Sequence, residues 1–158
     1  MSLQRFHHAQ ASQWGGYATA LAEMRAGQKS SHWIWYIFPQ IGGLGRSSTA
    51  REYELRDLEE ACNYLRDPLL RSRYEEIASA VAEHLSRGAP LEQLMGSSTD
   101  AHKLVSSLTL FRAAATELSQ DDNNPDFKRL SDLCESLLER TSAQDYPPCE
   151  FTLERCDQ

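Results

Sequence analysis

No apolar run in this chain approaches the roughly 20 residues that cross a bilayer as a helix. The opening Met1-Ser2-Leu3-Gln4-Arg5 leads into a polar stretch and lacks the apolar core of a secretory signal. These absences predict a soluble, cytoplasmic protein with no membrane association. Cysteine is sparse: Cys62, Cys134, Cys149 and Cys156 form no Cys-x-x-Cys and have no histidine at zinc-ligand spacing, which speaks against a metal site. An excess of positive charge is also missing. At a formal net charge of −7, the chain is unsuited to general nucleic-acid binding, which requires a basic surface to displace counterions. Neither Gly-x-x-x-x-Gly-Lys-Ser/Thr nor Gly-x-Gly-x-x-Gly occurs, so no named nucleotide loop is present. Internal repeats of solenoid period are absent too.

What is there suits one globular domain: 158 residues, 41% of them hydrophobic and 25% charged. The predicted fold is all-α, a compact single-domain array of roughly six to eight helices over 1–158. Leu58, Ala61, Cys62 and Leu65 fall on one helix face, with Asp57 and Glu60 as a capping box for a helix over about 57–66. Asp67-Pro68 restarts a helix whose stripe is Leu70, Tyr74, Ile77, Val81 and Leu85, ending at Gly88. Leu104, Leu108, Phe111, Ala115 and Leu118 mark a helix over about 99–118 capped by Ser98 or Thr99. Asn124-Pro125 opens another, with Phe127, Leu130, Leu133, Cys134 and Leu137 inward. Shorter helices are predicted at 13–26, ended by Gly27, and at 90–95, ended by Gly96. The run Trp33-Ile34-Trp35-Tyr36-Ile37-Phe38 has strand-like composition but no strand to pair with, so it is read as a short buried helix stopped before Pro39. From about 141 to 158 the chain reads as a loop and a weakly specified tail.

Charge is unevenly distributed. No carboxylate lies between Glu23 and Glu52, where Arg25, Lys29, Arg46 and Arg51 sit, and none between Asp100 and Glu117, where His102, Lys103 and Arg112 sit. The first stretch also contains His32, Gln40 and Gly42-Gly43-Leu44-Gly45-Arg46-Ser47-Ser48, ahead of a helix with Thr49 as N-cap and Glu52 at N3. Glycine N–H groups and a helix N-terminus can converge on an anion, although glycines between helices more commonly serve only to turn the chain. In the second stretch Lys103 and Ser107 are i, i+4 neighbours beside Ser106. A lysine and a serine so placed can act as base and nucleophile, but hydroxyls within helices usually bond back to a carbonyl. His32 could shuttle protons or simply pack. Trp33 and Trp35 could stack a ligand or fill the core.

Three segments in order, His32-Trp33-x-Trp35-x-x-Phe38-Pro39-Gln40, Gly43-Leu44-Gly45-x-Ser47 and Lys103-Leu104-x-Ser106-Ser107-x-Thr109-Leu110-Phe111, resemble domain-of-unknown-function family 1810. The resemblance runs from about Arg5-Phe6 to Phe111 and more weakly to Thr152-Leu153, and implies a compact all-helical domain. Some members carry the label calpastatin, which fits poorly because calpain-inhibitor repeats are disordered and this chain has a cored helical pattern. The family implies no substrate, cofactor or catalytic residue. Two functions follow as expectations. In the first, a small anionic ligand, a nucleotide or phosphorylated metabolite, binds between the Trp33/Trp35 helix, the glycine loop and the Lys103 helix. Lys29, Arg46 and Lys103 would supply charge, Gly43, Gly45 and Ser47 the loop contacts, His32 and Gln40 orientation, Trp33 and Trp35 stacking, with Ser106 and Ser107 adjoining. The second is a protein–protein interaction module built on an aromatic and basic surface patch.

Overall fold

The computed structural model describes residues 3–157, and among them the chain forms ten helices and no strand. They are α1 (Gln4–Gln10), α2 (Tyr17–Ala26), α3 (Ile34–Ile37), α4 (Ser48–Tyr53), α5 (Leu58–Arg66), α6 (Pro68–Ser86), α7 (Leu91–Met95), α8 (Ser98–Asp121), α9 (Pro125–Ala143) and α10 (Glu150–Cys156). The all-helical expectation holds, with more helices than six to eight because α1 and α10 add to those readable from periodicity.

α8 is the axis. Its 24 residues pack against α3, α5, α7, α9 and α10, while α6 bridges α2, α5, α7 and α9. Every residue from Leu104 to Phe111 is buried, so over two turns this helix faces protein on all sides. Polar side chains there must find partners inside. Ser106 Oγ donates to His102 O at 3.0 Å, Thr109 Oγ1 to Val105 O at 2.8 Å, and Ser107 Oγ pairs with Tyr74 Oη at 2.9 Å. Phe111 in turn lies against the rings of Tyr74 and Tyr64, with centroids 4.4 and 5.2 Å away.

Capping explains most boundaries. Asp57 accepts from Glu60 N at 2.9 Å, while Glu60 Oε1 reaches back to Arg56 N at 2.8 Å, one residue short of a reciprocal box. Asp67, ahead of Pro68, accepts from both Leu69 N and Leu70 N. Asn124 accepts from Asp126 N ahead of Pro125 in α9. Two expected caps move: α8 is capped by Ser97, not Ser98 or Thr99, and α4 by Ser47 rather than Thr49. The helix expected at 13–26 begins only at Tyr17, because residues 11–16 turn around Gly15 at φ +70°. α3 forms as read and ends before Pro39.

Two short helices could not be read from pattern. α1 buries Phe6, Ala9 and Gln10, and Gln10 Nε2 donates to Tyr36 O and Tyr64 Oη at 2.9 and 3.1 Å. Seven residues with few apolar positions need such tertiary anchors to remain helical. α10 lies in the expected tail, where Cys149 N donates to Thr109 Oγ1 at 3.0 Å and ties its start to α8. An isolated parallel bridge joins Ile41 to Leu55, with Gly42 N donating to Leu55 O at 2.7 Å and Leu55 N to Gln40 O at 2.9 Å. It closes residues 40–55 into one unit around α4.

Cys62 and Cys134 are free and buried, as their helix phases predict. Burial pushes both thiols up to about 12; beside Cys62 the Glu117 carboxylate adds to this, and for Cys134 the Arg112 charge only partly opposes it. Leu133, expected inward, is only partly buried at the margin of the core, and Leu138 is the residue that turns in. We therefore expect Leu108→Ala to cost about 2–4 kcal/mol and Leu133→Ala clearly less, measured by urea denaturation. Equal losses would place Leu133 in the core after all.

Candidate functional site

Of the residues singled out by charge, Lys29 and Lys103 meet, at Asp100, and both are already engaged there. Lys29 is buried, its Nζ 2.7 Å from Asp100 Oδ2, donating to Ser31 O at 2.6 Å and lying 4.9 Å over the Trp33 ring. Lys103 lies 4.0 Å from Asp100 Oδ1 and 5.0 Å over the Trp35 ring. One carboxylate thus balances both lysines. Trp33 is fully buried and donates through Nε1 to Glu23 Oε1 at 2.9 Å. Trp35, Gln40 and Gly45 line a hollow of only about 10 Å³, the room of about one water molecule. The Trp35 Nε1 atom is buried and has no hydrogen-bond partner among the described residues. Gly45 is required for contact, since a Cβ there would lie 2.4 Å from Ala50 Cβ.

The remaining expected residues are dispersed. Ser106 and Ser107 are held inside α8 and against Tyr74, away from any nucleophilic role with Lys103. Ser47 is committed to Ala50 N as a cap. His32 and Arg46 are exposed, and Arg46 forms no ion pair among the described residues. Of the loop, Gly42 and Gly43 face a larger hollow.

That hollow, about 330 Å³, is lined by Arg5, Gly42, Gly43, Arg51, Glu54, Arg56, Glu60 and Arg155. A second of about 300 Å³ adjoins it through Arg56 and Arg155 and is completed by Ile41, Asp57, Leu58 and Glu59. The four arginines of the first come from α1, α4, the link before α5, and α10. No sequence spacing could have grouped them. Arg5 is structural: Nε donates to Glu52 O and Nη2 to Glu54 O, both at 2.8 Å, which satisfies carbonyls at the end of α4 and sets a positive charge against its negative end. Its Nη2 is also 3.7 Å from the buried Glu60 carboxylate. Arg56 makes one ion pair, a stretched 3.4 Å contact with Asp57. Arg155 stacks over Phe151 at 4.6 Å, and neither it nor Arg51 has an ion pair among the described residues.

Gly43 makes this approach possible. Its φ of +101° suits glycine, and a Cβ there would sit 3.0 Å from Phe151 Cζ and 3.4 Å from Arg155 Nη2. Next to it the Glu54 side chain lies over the bare backbone of Gly42, at 3.2 Å from where a Cβ would be, and accepts a long 3.3 Å bond from Gly43 N. The lining set contains guanidiniums, carboxylates and a glycine N–H, but no thiol, hydroxyl, imidazole or lysine. It is equipped to hold an anion. Among the described residues no group of histidine, cysteine and carboxylates is arranged for a metal.

Comparison with known proteins places the chain in a family. The profile of the Protein of unknown function family DUF1810 matches residues 1–135, and the chain belongs to that family. It is also similar to the conserved hypothetical protein Rv1873 from Mycobacterium tuberculosis, known from a 1.38 Å crystal structure. The two are 31% identical, with a TM-score of 0.75 over 99% of this chain and 96% of the other. No curated protein matches. The matched family segment ends before α10, so Arg155 lies outside it while Arg5, Arg51 and Arg56 lie within.

The carboxylate that borders the first acid-free stretch gives a pH test of the fold around Trp33. Glu23 accepts from Ser30 N, Ser31 N, Ser31 Oγ and Trp33 Nε1 at 2.5–2.9 Å. Burial works against its ionisation, but these bonds outweigh that and hold its carboxyl down at about 2 from an ordinary 4.5. A depressed carboxylate stabilises the fold fully above the unfolded value and loses that contribution as pH falls through the folded one. The stability difference between wild type and Glu23→Gln is therefore expected to be constant above about pH 5 and to shrink steadily toward pH 2. A difference independent of pH over that range would mean that the ionised carboxylate is not what holds the loop.

Proposed function

We propose that this protein binds a small anionic ligand, a phosphorylated metabolite or nucleotide, in the arginine-lined hollow around Gly42-Gly43. One observation carries the reading: in a chain of net charge −7, four arginines face one concave site against two glutamates. Two of these arginines, Arg51 and Arg155, are not neutralised by any ion pair among the described residues. Like charges held together without counterions raise a local potential that an anion relieves, and guanidinium forks match phosphoryl oxygens geometrically. Of the glycine loop this reading uses Gly42 and Gly43 rather than Gly45, Arg46 and Ser47, and in place of Lys29 and Lys103, already paired with Asp100, it uses Arg51, Arg56 and Arg155. The proposal is of binding.

A protein-interaction role is favoured by a different surface. Trp14 is 83% exposed, its backbone bracketed by the Ser12 hydroxyl. Ser12 in turn lines a shallow depression of about 510 Å³ with His8, Tyr36 and Tyr53. That face is aromatic but presents no arginine to the depression.

The anion reading is tested by thermal unfolding with phosphate-bearing compounds. Saturation at a hundred times Kd stabilises a protein by about 2.7 kcal/mol, equivalent to about 5–10 °C at this size. Arg51→Ala with Arg155→Ala is expected to abolish the shift in a folded protein, and Lys103→Ala to leave it intact. An equal shift in the double arginine variant would remove the hollow as the site.

A further inference from the structure

Within the hollow, one acid and one base stand apart. Glu54 and Arg155 flank the same glycine pair, the carboxylate over Gly42 and the guanidinium against Gly43, yet they form no ion pair with each other. Glu60, the other acid, is already engaged by Arg56 N and approached by Arg5. Among the described residues the Glu54 carboxylate accepts only the long bond from Gly43 N, at 3.3 Å. An ionised carboxylate has about four acceptor positions and no donor, so most of the hydrogen-bonding capacity of Glu54 faces the hollow unused.

A site that needed only to attract anions gains nothing from such a group, because it repels them. Its presence next to unpaired arginines fits a ligand with two distinct ends. From this juxtaposition, and resting on the anion-site reading above, we infer that the ligand is a phosphorylated polyol of the sugar-phosphate class: its phosphate is held by Arg51, Arg56 and Arg155, and adjacent hydroxyls donate to Glu54. Three guanidiniums offer more donors than the two oxygens of a carboxylate can accept, which favours a phosphoryl group. Vicinal hydroxyls complement the two oxygens of Glu54, as they do for acidic residues that hold a ribose. Polyanions are disfavoured, since Asp57 and Glu59 line the adjoining hollow and would face a second phosphate. The same acids disfavour a nucleic-acid strand.

Calorimetry with inorganic phosphate and ribose 5-phosphate on the full-length protein separates the possibilities. Wild type is expected to bind ribose 5-phosphate about tenfold or more tightly than inorganic phosphate, the worth of one to two hydrogen bonds to a charged acceptor. Glu54→Ala should keep or improve the affinity for inorganic phosphate, because a repelling charge is gone, and at the same time erase the preference for the sugar phosphate. Glu54→Gln, which keeps the side-chain shape and one acceptor oxygen, should give a smaller loss of the same sign, and it answers the question if the alanine variant does not fold. Equal binding of the two compounds to wild type overturns the sugar-phosphate inference and leaves the anion site standing. Tighter binding of both by Glu54→Ala with the preference preserved also overturns it, since Glu54 would then act only as a repelling charge. Binding of neither compound overturns the anion site as well.

Discussion

Everything in this molecule is arranged around a helix with no solvent face at its middle. From Leu104 to Phe111 α8 is buried at every residue, so its side chains must either be apolar or carry hydroxyls small enough to be satisfied internally. Ser106 and Thr109 return their protons to carbonyls one turn back, and Ser107 meets Tyr74. This accounts physically for the Lys103 to Phe111 motif, which in sequence invites a catalytic interpretation. Thr109 has a second duty, accepting from Cys149 N and so fixing the start of α10, the helix that brings Phe151 and Arg155 to Gly43. That hydroxyl is one link between the buried axis and the candidate site, within the packing of α10 on α8.

Charge segregation along a chain need not survive folding. The acid-free stretches after Glu23 and after Asp100 look like two positive patches, but the acids at their edges fold back over them. Glu23 gathers the N–H and hydroxyl groups of residues 30–33, and Asp100 sits between Lys29 and Lys103. Both lysines additionally lie over indole rings, which accommodates their charge beside the core. Net positive charge persists instead where arginines from four separate elements converge and two of them have no ion pair among the described residues.

The fold was largely legible because long amphipathic helices declare themselves. The stripes of α5, α6, α8 and α9 and the Asp67-Pro68 and Asn124-Pro125 starts could be read from spacing and capping chemistry. α1 and α10 could not, since each has only seven residues and is held by contacts distant in sequence: Gln10 to Tyr36 and Tyr64, Cys149 to Thr109. Leu133 illustrates the limit of a stripe, whose edge residues sit at the margin of the core whatever their hydrophobicity. Of the candidate site, Gly43 was visible as part of a glycine-rich loop beside a basic segment. Arg5, Arg56 and Arg155 were not, because arginines spaced tens of residues apart carry no mutual signal until the parallel contact of Ile41 with Leu55 and the docking of α10 bring them to one place.

The proposed anion binding has two candidate sites: the lysine and tryptophan cluster around Asp100, prominent in sequence, and the arginine hollow around Gly43. The most direct test is residue-specific NMR of the amide, arginine Nε–H and indole Nε1–H signals during titration with ribose 5-phosphate. The arginine site predicts saturable shifts at Gly43 N–H and at the Nε–H groups of Arg51, Arg56 and Arg155, with the Trp33 and Trp35 indole signals unmoved. Shifts centred on Trp35 and Lys103, or none at Gly43 and the arginines, would contradict it.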